Sequence, residues 1–173
     1  WLTLFGLIIF NSLYFTQTNY SLFFFIFASL LFITIRTDAE TSLISRLVTL
    51  WPTPLFILAA YFNLTPVSFG EAMVGAILGY SFLYCIRWVF FKYTNREGMG
   101  LGDVELAAMI GAAIGPLGVW ITILLGSIAG TIFMGSQNLL NQKQLQQIPF
   151  GPFLAIAAII FCLFKPFFIK LIL

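Results

Sequence analysis

The chain has only two aspartates, Asp38 and Asp103, and each stands at the mouth of a long apolar segment. Asp103 closes the run Gly98-Met99-Gly100-Leu101-Gly102-Asp103, and Asp38 lies in the polar stretch Arg36 to Arg46. Two carboxylates brought close together do not both ionise easily, so one keeps a proton while the other is charged. The charged one can take a proton from water as the water oxygen attacks a peptide carbonyl. The neutral one can protonate the carbonyl oxygen or the leaving nitrogen. Such a pair titrates as a unit, so neither residue is assigned the acid role. This chemistry calls for no cofactor and no metal.

Competing chemistries are limited by the absence of histidine. Ser-His-Asp triads, Cys-His pairs and HExxH zinc sites all need that side chain. A Ser-Lys dyad needs a lysine inside a span with a facing serine, and none is evident. Cys85 and Cys162 lie singly in apolar segments, with no CxxC. A net charge of +2 without a basic stripe gives no footprint for nucleic acid.

Each acid also has a plain reading. Asp38 reads as a solvated loop residue beside Arg36, and Asp103 as a helix N-cap. Glu40, two residues past Asp38, rivals it. Glu105 is near enough in sequence to influence Asp103, with Lys92 and Arg96 placed to offset it. Gly98, Gly100 and Gly102 alternate and leave one backbone edge bare for a substrate or a neighbouring helix. They fit neither a dinucleotide loop, because Asp103 holds the sixth position, nor a P-loop, because no Gly-Lys-Ser/Thr occurs. The pairs Gly75/Gly79, Gly111/Gly115 and Gly126/Gly130 read as helix-packing positions. Ile148-Pro149-Phe150-Gly151-Pro152 is a stiff, non-helical lead into the last segment.

The elements that must position these residues are apolar helices. Of the 173 residues, 61% are hydrophobic and 8% charged, with mean hydropathy +1.03, against about 25% charged in soluble domains. An integral membrane protein is expected. Spans need about 20 mostly apolar residues. Candidates are Trp1–Phe15, Tyr20–Ile35, Leu47–Phe62 (kinked or starting late at Pro52 and Pro54), Phe69–Phe91, Val104–Ile114, Pro116–Met134 and Phe150–Leu173, broken at Lys165-Pro166. The first run reads as a span, trimmed or not, and not as a signal peptide, since no basic region or cleavage site accompanies it. The expectation is an all-α, polytopic bundle of about six to seven helices forming a single membrane-embedded domain over residues 1–173. Arg36, Arg46, Lys92, Arg96 and Lys143 occupy alternate loops, which places those loops, Asp38 and Asp103 on the cytoplasmic side. Lys165 and Lys170 run against that rule.

Three stretches together resemble the type IV prepilin peptidases, members of the GxGD class of intramembrane aspartyl proteases. Gly98 to Leu106 is similar to the glycine-rich segment ending in the family's second catalytic aspartate. Asp38 to Ser45 is similar to the segment of the first, and Ile148 to Pro152 to a C-terminal turn. The resemblance covers roughly residues 30 to 160. It implies Asp38 and Asp103 as the catalytic pair, supported by Gly98, Gly100, Gly102, Pro149, Gly151 and Pro152. It also implies a bacterial cytoplasmic (inner) membrane enzyme that removes basic leader peptides from prepilins or pilin-like secretion subunits just before their apolar helix. The chain departs from the family pattern at Ser45, where proline is usual, and at Glu105, where lysine is usual. Nothing in it resembles the paired-CxxC region linked to methylation in many members, so cleavage without methyl transfer is expected of the sequence as it stands. Two alternative readings stand beside this one. A presenilin-like or signal-peptide-peptidase-like protease expects Tyr-Asp and Pro-Ala-Leu, whereas Thr37 precedes Asp38 and no Pro-Ala-Leu occurs. An ion-coupled transporter using Asp38, Glu71 and Asp103 would set its acids at mid-membrane, beside broken helices.

Overall fold

The computed structural model describes residues 20–41, 49–95, 98–140 and 150–172. The expected span at residues 1–15 lies outside them, as do Ser45, Arg46, Arg96, Glu97, Lys143 and Pro149. The described residues are all-α, with no strand among them. The described residues form five helices: α1 Ser21–Thr41, α2 Pro52–Tyr61, α3 Phe69–Thr94, α4 Leu101–Leu140 and α5 Gly151–Ile172.

The boundaries follow local chemistry. Helix α3 starts at a capping box: the Ser68 hydroxyl accepts from the Glu71 backbone N–H (3.3 Å) and the Ser68 N–H donates to Glu71 Oε2 (2.8 Å). It ends at Asn95, in the left-handed conformation (φ 52°). Helix α2 starts late, at Pro52, where a missing N–H breaks no intrahelical bond. Its 10 residues span only about 15 Å. Helix α1 continues beyond the apolar run to Thr41, so Asp38 is helical and not a loop residue. Helix α5 is non-helical at Phe164 (φ −104°, ψ 18°), just ahead of the expected Lys165-Pro166 break, where the proline removes a donor and crowds the preceding turn.

Helix α4 is folded back on itself. Gly79 on α3 lies against both Ala107 and Val119, with a Cβ built on Gly79 only 3.1 Å from Val119 Cγ2. On a straight helix Ala107 and Val119 would stand about 18 Å apart. The reversal is at Gly115, with φ 81° and ψ 179°, followed at once by Pro116. It separates a first arm, 101–114, from a second arm beginning at 116. The first arm therefore extends back into the glycine-rich loop as far as Leu101. A φ of 81° is strained for any residue with a Cβ, and a Cβ there would also sit 3.3 Å from Val67 Cγ1. Gly115→Ala is expected to lower stability by about 1–2 kcal/mol, read as a fall in thermal midpoint in detergent.

The first arm is the centre of the bundle, with Val104, Leu106, Met109 and Ile110 fully buried. It packs on α3 at Gly75 and Gly111, close enough that a Cβ on either would run into the other's carbonyl. The second arm packs on α5, where Gly126 faces Leu154. Phe23 and Phe27 of α1 meet Phe56 of α2 edge-on, at ring-centroid distances of 5.2 and 5.9 Å. Thus Gly75, Gly79, Gly111 and Gly126 serve close packing, as expected. Phe69–Thr94 is long and apolar enough to cross a membrane; Leu101–Phe133 also has the length and apolarity but is divided into two arms at Gly115.

Candidate functional site

One end of the bundle gathers the last turn of α1, the first turn of α4 and the first turn of α5. Asp38 comes from α1, Asp103 from α4 and Gly151 from α5. Asp38 is 4% exposed and Asp103 5%. The backbone N–H of Gly151 reaches both carboxylates, and the two aspartates are close enough to act on each other electrostatically.

The chain around Gly151 explains this reach. The first N–H groups of a helix have no intrahelical acceptor. Helix α5 closes its first turn through Leu154 N–H to Phe150 C=O (3.1 Å), which leaves the Gly151 N–H for the site. Pro152, next in line, has no N–H to offer. The Phe-Gly-Pro segment was expected to be a stiff, non-helical lead; instead Gly151 and Pro152 open α5, and Gly151 supplies a donor that both aspartates share.

Asp103 is the third residue of α4, not its N-cap. Its carboxylate reaches back to the N–H of Gly100, the residue before the helix, the geometry by which an acid at this position caps a helix start. An ideal Cβ on Gly100 would lie 3.7 Å from Asp103 Oδ2. Gly98 packs against α3, where a Cβ would stand 2.5 Å from the Phe90 ring. Gly102 opens the first turn beside Asp103 and is half-buried. On Asp38, Oδ2 finds no hydrogen-bond partner among the described residues. Asp38 lies beyond the apolar run that ends at Ile35; burial pushes its carboxyl above the ordinary carboxylate range, with the Gly151 N–H acting in the opposite sense.

Other acids take other places. Glu105 is two residues past Asp103, about 200° around the helix, and so faces away from it. It is 5% exposed and accepts a hydrogen bond from the Thr49 hydroxyl (3.2 Å), just ahead of α2. The expected influence of Glu105 on Asp103 gives way to this contact. Losing a donor to a buried carboxylate costs about 1–3 kcal/mol, so Thr49→Val is expected to lower stability by that amount in chemical or thermal unfolding. Lys92 lies over the Trp88 ring, 5.0 Å from its centroid. Glu71 caps α3 beside the Gly115 reversal, at the opposite end of the bundle from the aspartates. Glu40 is in the last turn of α1, but its side chain is outside the described set. Among the described residues no cluster of three or more His, Cys, Asp or Glu is placed to hold a metal ion.

Thr49 and Arg87 were not singled out for the site by sequence. Arg87 carried a signal, being a charge inside an apolar span; Thr49 carried none.

Comparison with known proteins identifies the family. The profile of the Type IV leader peptidase family matches residues 25–135. A prepilin leader peptidase/N-methyltransferase of Aeromonas salmonicida (strain A449) is 46% identical over 92 residues, covering 53% of this chain and 32% of the relative. That of Aeromonas hydrophila is 44% identical over 110 residues, covering 62% and 36%. That of Pseudomonas aeruginosa is 39% identical over 124 residues, covering 69% and 41%. The match thus spans about a third to two-fifths of the curated relatives' length. No solved structure matches the chain significantly. With a profile match across well over half of its residues, the chain belongs to the Type IV leader peptidase family.

Proposed function

We propose that this chain is an aspartyl endopeptidase that removes the basic leader peptide from type IV prepilins or pilin-like secretion subunits. Asp38 and Asp103 are its catalytic pair. The observation that carries this reading is the meeting of the two aspartates, from opposite parts of the chain, at the Gly151 N–H.

The chemistry balances within the pair. The ionised carboxylate accepts a proton from water as its oxygen bonds to the scissile carbonyl carbon, and the protonated partner gives its proton to the carbonyl oxygen. The resulting gem-diol collapses as the C–N bond breaks. The nitrogen takes a proton from the carboxylic acid of the pair while the other carboxylate takes one from a gem-diol hydroxyl. This leaves a carboxylic acid on the leader, a free amine on the mature subunit and the pair with its single proton. No cofactor enters. The Gly100 and Gly151 N–H groups orient the carboxylates for both transfers, and their burial excludes competing solvent.

The reading extends to the membrane. Outward-facing Ile77, Trp88 and Phe91 on α3 suit a lipid solvent, in which every backbone group must be satisfied within helices. We read residues 1–173 as a single membrane-embedded domain of about six to seven helices, counting the two arms of α4 and the apolar run at residues 1–15. In the sequence Arg36, Arg46, Lys92, Arg96 and Lys143 fall in alternate loops, two of which carry Asp38 and Asp103, which supports a site facing the cytoplasm across the bacterial inner membrane.

The test is incubation of the purified chain with a prepilin in detergent, with the products weighed by mass spectrometry. A single cut immediately before the apolar helix of the subunit is expected. An intact prepilin after prolonged incubation, with ion flux through vesicles holding the chain, would replace the peptidase reading with the transporter one.

A further inference from the structure

Arg87 is a charge inside an apolar helix and calls for a partner. Its Nε donates to the carbonyl of Met99 at 3.1 Å. The Met99 carbonyl and the Gly100 N–H belong to one planar, trans peptide unit, so they point in opposite directions. That same N–H reaches the Asp103 carboxylate. Arg87 and Asp103 therefore hold the two ends of one peptide plane.

We propose that Arg87 is a positioning residue for Asp103, fixing the Met99–Gly100 peptide so that its N–H stays on the carboxylate. Several features fit. The plane turns about Met99 ψ and Gly100 φ, and the missing Cβ of Gly100 widens its freedom to rotate unless something pins it. Phe90, one turn on from Arg87, seats Gly98 against the same helix. Met99 is partly buried against the core, holding the segment from its other side. A guanidinium on the carbonyl also polarises the peptide and strengthens its N–H as a donor. Arg87 does not touch the reacting atoms; it acts through the peptide.

The kinetic arm of the test rests on the peptidase reading above; a second arm does not. Full-length Arg87→Leu, Arg87→Lys and Arg87→Gln are compared with wild type in detergent. For Arg87→Leu, kcat for prepilin cleavage is expected to fall about ten-fold or more, with KM little changed. The Gly100 amide is expected to exchange its hydrogen faster, while residues 104–114 keep wild-type protection. Arg87→Lys and Arg87→Gln, which retain an N–H donor, are expected to recover much of both. The proposal is overturned by wild-type kcat and wild-type Gly100 exchange in Arg87→Leu. It is equally overturned if the conservative variants are as poor as leucine and protection falls throughout 104–114, which would make Arg87 a general support of the bundle. Should wild type itself release no leader, the peptidase reading fails, and Gly100 exchange alone decides the role of Arg87.

Discussion

Asparagine at position 38, or at position 103, is expected to lower the rate of leader cleavage by about 10²–10⁴-fold while leaving the bundle folded. The exchange keeps size and shape, and an amide oxygen still accepts the backbone N–H groups that reach these side chains. What it removes is a proton that can be passed on. If Asp38 fixes the water and Asp103 serves the leaving group, or the reverse, either loss stops the same step. Glu40→Gln serves as the control. It alters the acid closest in sequence to Asp38, so it is expected to leave cleavage near the wild-type rate. Initial rates on one prepilin, with thermal midpoints recorded beside them, separate lost chemistry from lost fold.

Valine at position 111 is expected to have the largest effect on stability. A Cβ on Gly111 meets the backbone carbonyl of Gly75, and one on Gly75 meets that of Gly111. Backbone cannot rotate away as a side chain can. The first arm of α4 would have to part from α3 along the most buried seam of the bundle. Overpacking of a core costs typically about 1–3 kcal/mol, and a backbone-on-backbone clash belongs at or beyond the upper end of that range. Folded proteins hold only about 5–15 kcal/mol in all, so Gly111→Val is expected to accumulate poorly and melt many degrees lower in detergent. Gly135→Ala makes the contrast: nothing lies within 4 Å of a Cβ there, and its thermal midpoint is expected to match wild type. The same seam bears on the proposed site, because Gly111 lies on the arm whose first turn carries Asp103.

The helical class, the reversal near Pro116 and the two aspartates as the acids to bring together were legible in the sequence because each left a one-dimensional mark; their catalytic role is the proposal. Apolar runs, a Gly-Pro step and an acid at a helix mouth are such marks. Expected spans differed from observed helices where tertiary contacts set the boundary: α1 runs on through Asp38, which is buried instead of solvated. Gly151 was visible as part of a motif, but its donor role depends on where α5 starts in space. The Thr49–Glu105 contact joins residues far apart in sequence and left no local pattern. Glu105 and Asp103 looked like neighbours along the chain, yet helical geometry turns them to opposite faces.

The claim that two distant aspartates make one catalytic unit is tested most directly by comparing Asp38→Asn, Asp103→Asn and the double variant on a single prepilin. Residues that act as a unit are strongly non-additive. The account predicts that the double variant cleaves no more slowly than the slower single variant. Losses that multiply in the double variant, or near-wild-type cleavage by either single one, would contradict it.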